Sequence, residues 1–213
     1  MDWKGLAQLY RLRRSEFLVA LACVLGVLVY GVVQGIFIAL GVATGLFMWR
    51  ASKPYDAVLG RIDGVKGYHD VSRHPDARQV PGLLLFRGDA PLFFANQDHS
   101  RRGVLRRVRR AEKAGPSLRR IVMAAEPITD IDTTAADMLT QLCDHLRDQG
   151  VALQFAELKG PVKDRLRAYG LADRWPELAF YPTLGRAVDQ YLHGFAVPWV
   201  DWQSQHHHAH GDA

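Results

Sequence analysis

The sequence predicts a membrane α-helical hairpin followed by an α/β domain with a mixed, largely parallel sheet flanked by helices. Three observations carry this. Phe17 to Trp49 is a run of 33 residues without Asp, Glu, Lys or Arg, well above the roughly 18 that mark a membrane segment. Basic residues stand on both sides of it: Lys4, Arg11, Arg13 and Arg14 before, Arg50, Lys53 and Arg61 after. Beyond residue 56, short continuous apolar runs alternate with helical periods, the signature of strands buried on both faces.

The mean hydropathy of −0.09 over 213 residues averages these two parts and describes neither. A cleaved signal peptide has an apolar core of about 7 to 15 residues and a small-residue cleavage site; this run is longer and ends in basic residues. Cys23 and Cys143 are 120 positions apart, form no disulfide framework, and fit a reducing compartment. The net charge of +5 suits acidic lipid, nucleic acid or the cytoplasmic side of a membrane, and the apolar run favours the last.

As one straight helix the run would be about 50 Å long. Crossing a hydrocarbon layer of about 30 Å would demand a tilt of roughly 53°, beyond the usual range. Because cytoplasmic flanks collect Lys and Arg, both ends read as cytoplasmic. The run is therefore expected to fold back, with arms Phe17–Val33 and Gly35–Trp49 and a bend near Gly31-Val-Val-Gln34-Gly35. At the tip the Gln34 amide and freed backbone groups would face hydrocarbon, where each unsatisfied polar group costs several kcal/mol. Gly31/Gly35 and Gly41/Gly45 are two small-xxx-small spacings that let other helices approach closely, so the arms are expected either to pack into a larger bundle supplied from outside this chain or to serve as a stand-alone anchor.

The partition expected is a basic lead-in at 1–16, the hairpin at 17–50, a linker at 51–56, the α/β domain at 57–193, and a His-rich, disordered tail at 194–213. In the α/β domain, Ala57–Ile62 reads as a strand and 63–82 as a loop rich in Gly, Pro, Asp and His. Gly82–Asn96 reads as two paired strands broken at Asp89–Pro91, with Asn96 capping the basic helix that follows from Gln97 to Ala114 and buries Val104, Val108 and Ala111. Strands at Arg119–Glu126 and Val151–Leu158 and helices at Thr134–Gln149, Pro161–Gly170 and Thr183–Leu192 complete it.

The stretches EFLVALACVLGVLVYGVVQGIFIALG, PYDAVLGRI, VPGLLLFRGDAPLFFAN, DIDTTAADML and LKGPVKDRLRAYGL resemble, in that order, the C-terminal part of a sulfate permease (SulP) family transporter. The resemblance covers about Leu9 to Tyr191. It implies that the hairpin corresponds to the last two membrane helices of that family's gate region and that the soluble part is a cytoplasmic STAS domain beneath a cell inner (plasma) membrane. It also implies a homodimer and an inorganic anion, sulfate first and bicarbonate second, handled by transporter core helices that this chain lacks, so that transport is not expected of the chain alone. A membrane-tethered STAS module binding a regulatory protein or nucleotide is the alternative.

In the related anti-sigma factor antagonists a serine at the helix start of the DIDTTAAD loop is a phosphorylation switch. Asp132, Thr133 and Thr134 occupy that loop, and a helix N-terminus receives phosphate favourably. Asp and Thr are equally ordinary N-caps. The run Arg101–Lys113 holds seven basic residues, Arg101, Arg102, Arg106, Arg107, Arg109, Arg110 and Lys113, with Glu112 the one acid. It reads as a solvated helix face or as a contact for anionic lipid or a partner. Base-stacking aromatics are missing from it, which argues against nucleic acid. His206, His207, His208 and His210 offer imidazoles to a metal without a scaffold to fix them, so no metal site is assigned. No nucleophile, phosphate-binding glycine loop or facing carboxylate pair is present, and neither catalysis nor a cofactor is expected.

Overall fold

The computed structural model describes residues 14–114, 117–174 and 179–200. Lys4, Arg11, Arg13 and the four histidines of the tail lie outside them. Two compact units divide between Lys53 and Pro54.

The first unit is a helical hairpin of α1 (Arg14–Tyr30) and α2 (Val32–Ala51), 17 and 20 residues long. The bend is at Gly31, the first residue of the expected Gly31–Gly35 stretch, so the first arm ends at Tyr30 and not at Val33. Gly31 takes φ +94°, a conformation open to glycine and strained for residues with a Cβ, and Gln34 falls inside the first turn of α2. The hydrogen-bond ladder almost closes across this point, Gly31 N–H donating to the Val27 carbonyl and Gly35 N–H to that of Gly31 (3.0 and 2.9 Å). The turn thus leaves fewer bare polar groups than a looser loop would. At about 30 Å, α2 is the one helix among the described residues long and apolar enough to cross a membrane, and α1 is shorter.

Gly35 also departs from expectation. A Cβ there would lie 2.5 Å from the Val27 amide nitrogen, and one on Gly26 would lie 3.0 Å from the Gly35 Cα. These two glycines set the close crossing of the hairpin's own arms, so Gly35 serves internal packing. Nothing stands within 4 Å of a Cβ on Gly41 or Gly45, which stay exposed beside Leu40 and Phe47.

The second unit is a six-stranded sheet in the order β2-β1-β3-β4-β5-β6, built from β1 (Asp56–Arg61), β2 (Tyr68–Asp70), β3 (Leu83–Gly88), β4 (Arg120–Ala124), β5 (Ala152–Ala156) and β6 (Phe180–Tyr181). The last four run parallel, whereas β1 is antiparallel to both of its neighbours. Alternation divides the core. Leu84, Phe86, Ile121, Met123, Leu153 and Phe155 face one side, under α3 (Gln97–Ala114), α4 (Thr133–Asp148), α5 (Gly160–Ala168) and the short α6 (Leu171–Arg174). Leu59, Leu85, Val122, Ala124 and Ala156 face the other, under α7 (Leu184–Gly194). Tyr191 of α7 is fully buried and donates its hydroxyl to the Pro81 carbonyl at 3.0 Å. Burial pushes its pKa up, partly countered by Arg119 and Arg120.

Several expectations are corrected. The 63–82 stretch contains β2, paired through Leu59↔Asp70 and Arg61↔Tyr68; three polar residues give no apolar alternation to read. The second half of the 82–96 stretch is not a strand. Pro91 lacks an N–H for a ladder, and Leu92 keeps a single bridge to Ile131. Asn96 does not cap α3. Fully buried, it accepts from Phe93 N–H (3.1 Å) and donates to the Pro91 carbonyl (2.8 Å), folding the turn before the helix. The compact unit begins at Pro54 rather than 57. The start of the tail is ordered: Phe195, Val197 and Trp199 pack on the second cluster, and Arg78 donates to the Val200 carbonyl at 3.2 Å.

Candidate functional site

Three surfaces gather the polar chemistry of the second unit. The first is the loop between β4 and α4, at the carboxyl edge of the parallel strands, where α/β sheets commonly bind ligands. Asp132 has extended backbone and caps α4: Oδ1 accepts from Ala135 N–H and Oδ2 from Phe94 N–H, both at 2.8 Å. Leu92 N–H donates to the Asp130 carbonyl and Asp132 N–H to that of Leu92 (3.1 and 3.3 Å). One carboxylate thus holds two loops together as well as starting a helix. Thr133 and Thr134 are exposed in the first helical turn, where the helix dipole is positive. Asp130 is paired with Arg165 of α5, so Asp130 and Asp132 do not converge on a common cleft.

The second surface is α3. Val104 and Val108 are buried and Ala111 half-buried, as the helical period requires. Arg107 shares that inner side and is not a surface cation. Its Nη2 and Nη1 reach the Asp56 carboxylate at 2.8 and 2.9 Å, Nη2 also donates to the Asp56 carbonyl at 3.2 Å, and Nη1 to the Gly103 carbonyl at 3.1 Å. Gly103 is required here, since a Cβ would come within 2.5 Å of Asp56 Oδ2. The pair forms one wall of an open cleft of about 330 Å³ that also includes Asp70, Ser72 and Arg110. Arg101 is half-buried with its Nε shielded. Arg102, Arg106, Arg109 and Arg110 are exposed and with Lys113 line a shallow groove of about 450 Å³ floored by Leu105.

The third surface lies on the α7 side. Glu157 is the one non-glycine described residue with positive φ (62°), a conformation that costs of order 1 kcal/mol or more. Its carboxylate accepts from Leu184 N–H at 3.2 Å while Thr183 caps Arg186 N–H at the same distance. A cleft of about 440 Å³ opens beside it between Arg61, Arg87 and Glu126.

Sequence reading missed Tyr55, Asp56 and Asp70. The Tyr55 hydroxyl donates to Asp70, whose other oxygen accepts from Ser72 N–H at 2.8 Å. Burial pushes the Asp70 carboxyl up, but the Tyr55 and Ser72 hydrogen bonds, helped by Arg73, hold it below its ordinary value. The signal available was the Tyr-Asp pair directly after Pro54. Among the described residues no group of three or more His, Cys, Asp or Glu stands close enough to hold a metal.

A mixed sheet of this order, with helices α3 to α6 on one face and α7 on the other, defines a small α/β domain in which the polar groups named above cap helices and tie loops. The chain belongs to the STAS domain family, which matches residues 74–187. A probable sulfate transporter of Mycobacterium tuberculosis is 36% identical over 191 residues, covering 90% of this chain and 34% of that one. High affinity sulfate transporter 2 of Stylosanthes hamata is 26% identical, covering 88% and 29%. The chain therefore spans about a third of the length of these relatives. The murine Slc26a9 anion transporter in its inward-facing state shares the fold, with a TM-score of 0.76 at 15% identity over 85% of this chain and 29% of that one. Relatives named as sulfate transporters and STAS domains, rather than enzymes, are the company this chain keeps.

Proposed function

We propose that this chain supplies the C-terminal gate hairpin and regulatory STAS domain of a secondary active inorganic anion transporter, sulfate being the first candidate, and does not transport alone. The observation carrying this reading is the extent of the similarity. An aligned stretch covering 90% of the chain cannot be confined to the α/β domain and takes in all of α2. A lone STAS relative would match only the α/β domain. The apolar residues exposed on both arms, among them Leu28, Val33, Phe37, Leu40 and Phe47, with open Gly41 and Gly45 between them, fit a hairpin that packs against core helices from outside this chain. The STAS domain would then face the cytoplasm beneath the inner membrane, with two-fold symmetry if the assembly is a homodimer. Thr133 and Thr134, exposed above a helix N-terminus, are the residues through which a modification or partner would act on it.

The test is replacement. Exchanging the matching third of the mycobacterial relative for this chain should give a protein that takes radiolabelled sulfate into vesicles, whereas this chain alone should give none. Uptake by the chain alone, or labelling that puts positions 14 and 53 on opposite faces of the bilayer, would overturn the reading. A chimaera that inserts but never transports would favour the tethered interaction module.

A further inference from the structure

We infer that the outer face of α3 is a docking surface for an anionic phospholipid headgroup layer. Arg102, Arg106, Arg109 and Lys113 recur at helical spacings of three and four, with Arg110 beside them, and together they form one stripe opposite buried Val104 and Val108. None of the five forms an ion pair with a described residue; Arg102 makes a hydrogen bond to its own helix, at the Asp98 carbonyl (3.1 Å). Elsewhere in the unit cations are commonly matched: Arg78 to Asp63, Arg87 to Asp89, Arg165 to Asp130 and Arg174 to Asp144. A row of unmatched guanidinium groups around a shallow apolar floor, Leu105, lacks the convergent fork of a single-anion pocket. It suits a laterally extended layer of negative charge that long side chains reach independently.

Chain connectivity supplies the second argument and selects lipid over an acidic protein. The Arg107–Asp56 pair holds the middle of α3 against the residue where β1 begins. Asp56 follows the end of α2 at Ala51 by five residues, a reach of at most about 18 Å. On the same helix end, Lys53 Nζ sits 4.9 Å over the Trp49 ring, an aromatic and a cation of the kinds that gather at the membrane interface. The inference rests on the hairpin being membrane-inserted, as proposed above. It adds a lipid specificity that this reading does not require.

The full chain is reconstituted into nanodiscs of phosphatidylcholine alone or with about 30% phosphatidylserine, carrying a donor dye on Glu112→Cys and headgroup-labelled acceptor lipid. Co-purification of the chain with discs of either composition reports insertion separately, so failure of the hairpin reading is distinguishable. Energy transfer is expected to rise with phosphatidylserine, to fall back as salt shortens the screening length, and to lose its dependence on phosphatidylserine in the Arg102/Arg106/Arg109/Arg110→Gln variant. Lys163→Gln with Arg167→Gln, which removes one half-buried and one exposed charge from α5, should leave the response unchanged. Inserted chain whose transfer is the same in both compositions, or a response lost equally in the α5 variant, overturns the inference. The first of those outcomes would leave an acidic protein as the occupant. Unchanged circular dichroism melting of each variant shows that it is folded.

Discussion

Replacing Arg107 by Ala should unfold the second unit at markedly lower denaturant or temperature, although composition alone makes this residue one of seven interchangeable cations. Its guanidinium makes four hydrogen bonds, three of them to Asp56, and the two side chains are 17% and 16% exposed. Deleting one partner of a buried, bidentate pair costs about 3–5 kcal/mol, because the remaining charge is left without compensation. The cleft beside Asp56 admits water, which argues for the lower end, about 3 kcal/mol, or roughly 6 to 12 °C in melting temperature for a unit of this size. Arg107→Lys keeps the charge but not the fork and should lose about 1–2 kcal/mol. The double variant Asp56→Asn, Arg107→Met should recover much of the loss by removing both charges. Melting of the full chain in detergent, followed by far-ultraviolet circular dichroism, measures all three against Arg109→Ala, which should change stability by less than about 0.5 kcal/mol. If Arg107→Ala and Arg109→Ala melt alike, the pair does not hold the helix and the reasoning fails.

Gly82 has φ +75°, and a Cβ there would collide with the Tyr191 hydroxyl; Gly82→Ala should destabilise by about 1–3 kcal/mol, with Tyr191→Phe in the same chain relieving part of the loss in the same melts. Gly35→Val should open the hairpin because the arms cross there, whereas Gly41→Val should leave it closed, as read by cross-linking of cysteines placed at positions 24 and 38. Asp70 has a depressed folded-state pKa, so its contribution to stability is fully present above the unfolded carboxylate value of about 3.9 and is lost as pH falls through the lower folded value. Wild type should therefore lose urea resistance between pH 5 and pH 3 more steeply than Asp70→Asn; equal slopes would remove Asp70 from the account. Asp132→Ala should cost about 1–2 kcal/mol, since it strips a helix cap and frees Phe94 N–H together.

The layered α/β architecture was readable because β3 and β4 carry continuous apolar runs, β5 is interrupted only by Gln154, and α3 and α4 keep a clean helical period. The hairpin was readable from length and flanking charge, and its bend to within the Gly31–Gly35 stretch, but not the turning residue: Gly31 and Gly35 carry the same side chain, and only backbone conformation makes one a turn and the other a crossing point. The inward orientation of Arg107 was present in the spacing, three after Val104 and one before Val108, yet counting charge along the run treats every Arg as outward. Its partner lies 51 residues earlier, and no local pattern announces a pairing across that distance. Asp132 shows the reverse. Its capping role was legible from the residue type, whereas its second bond to Phe94 depends on two loops meeting at Leu92 and Ile131, which only the tertiary fold decides.

Hydrogen bonds within each unit fix the chain on both sides of the junction between them. At the end of α2, Ser52 donates its amide to the Met48 carbonyl and its hydroxyl to that of Trp49, and Lys53 N–H donates to the Arg50 carbonyl. On the other side, the Tyr55 carbonyl accepts from Asp89 N–H, its hydroxyl is held by Asp70, and Asp56 is held by Arg107. The backbone torsions without such restraint are those around Lys53 and Pro54, and proline fixes one of them.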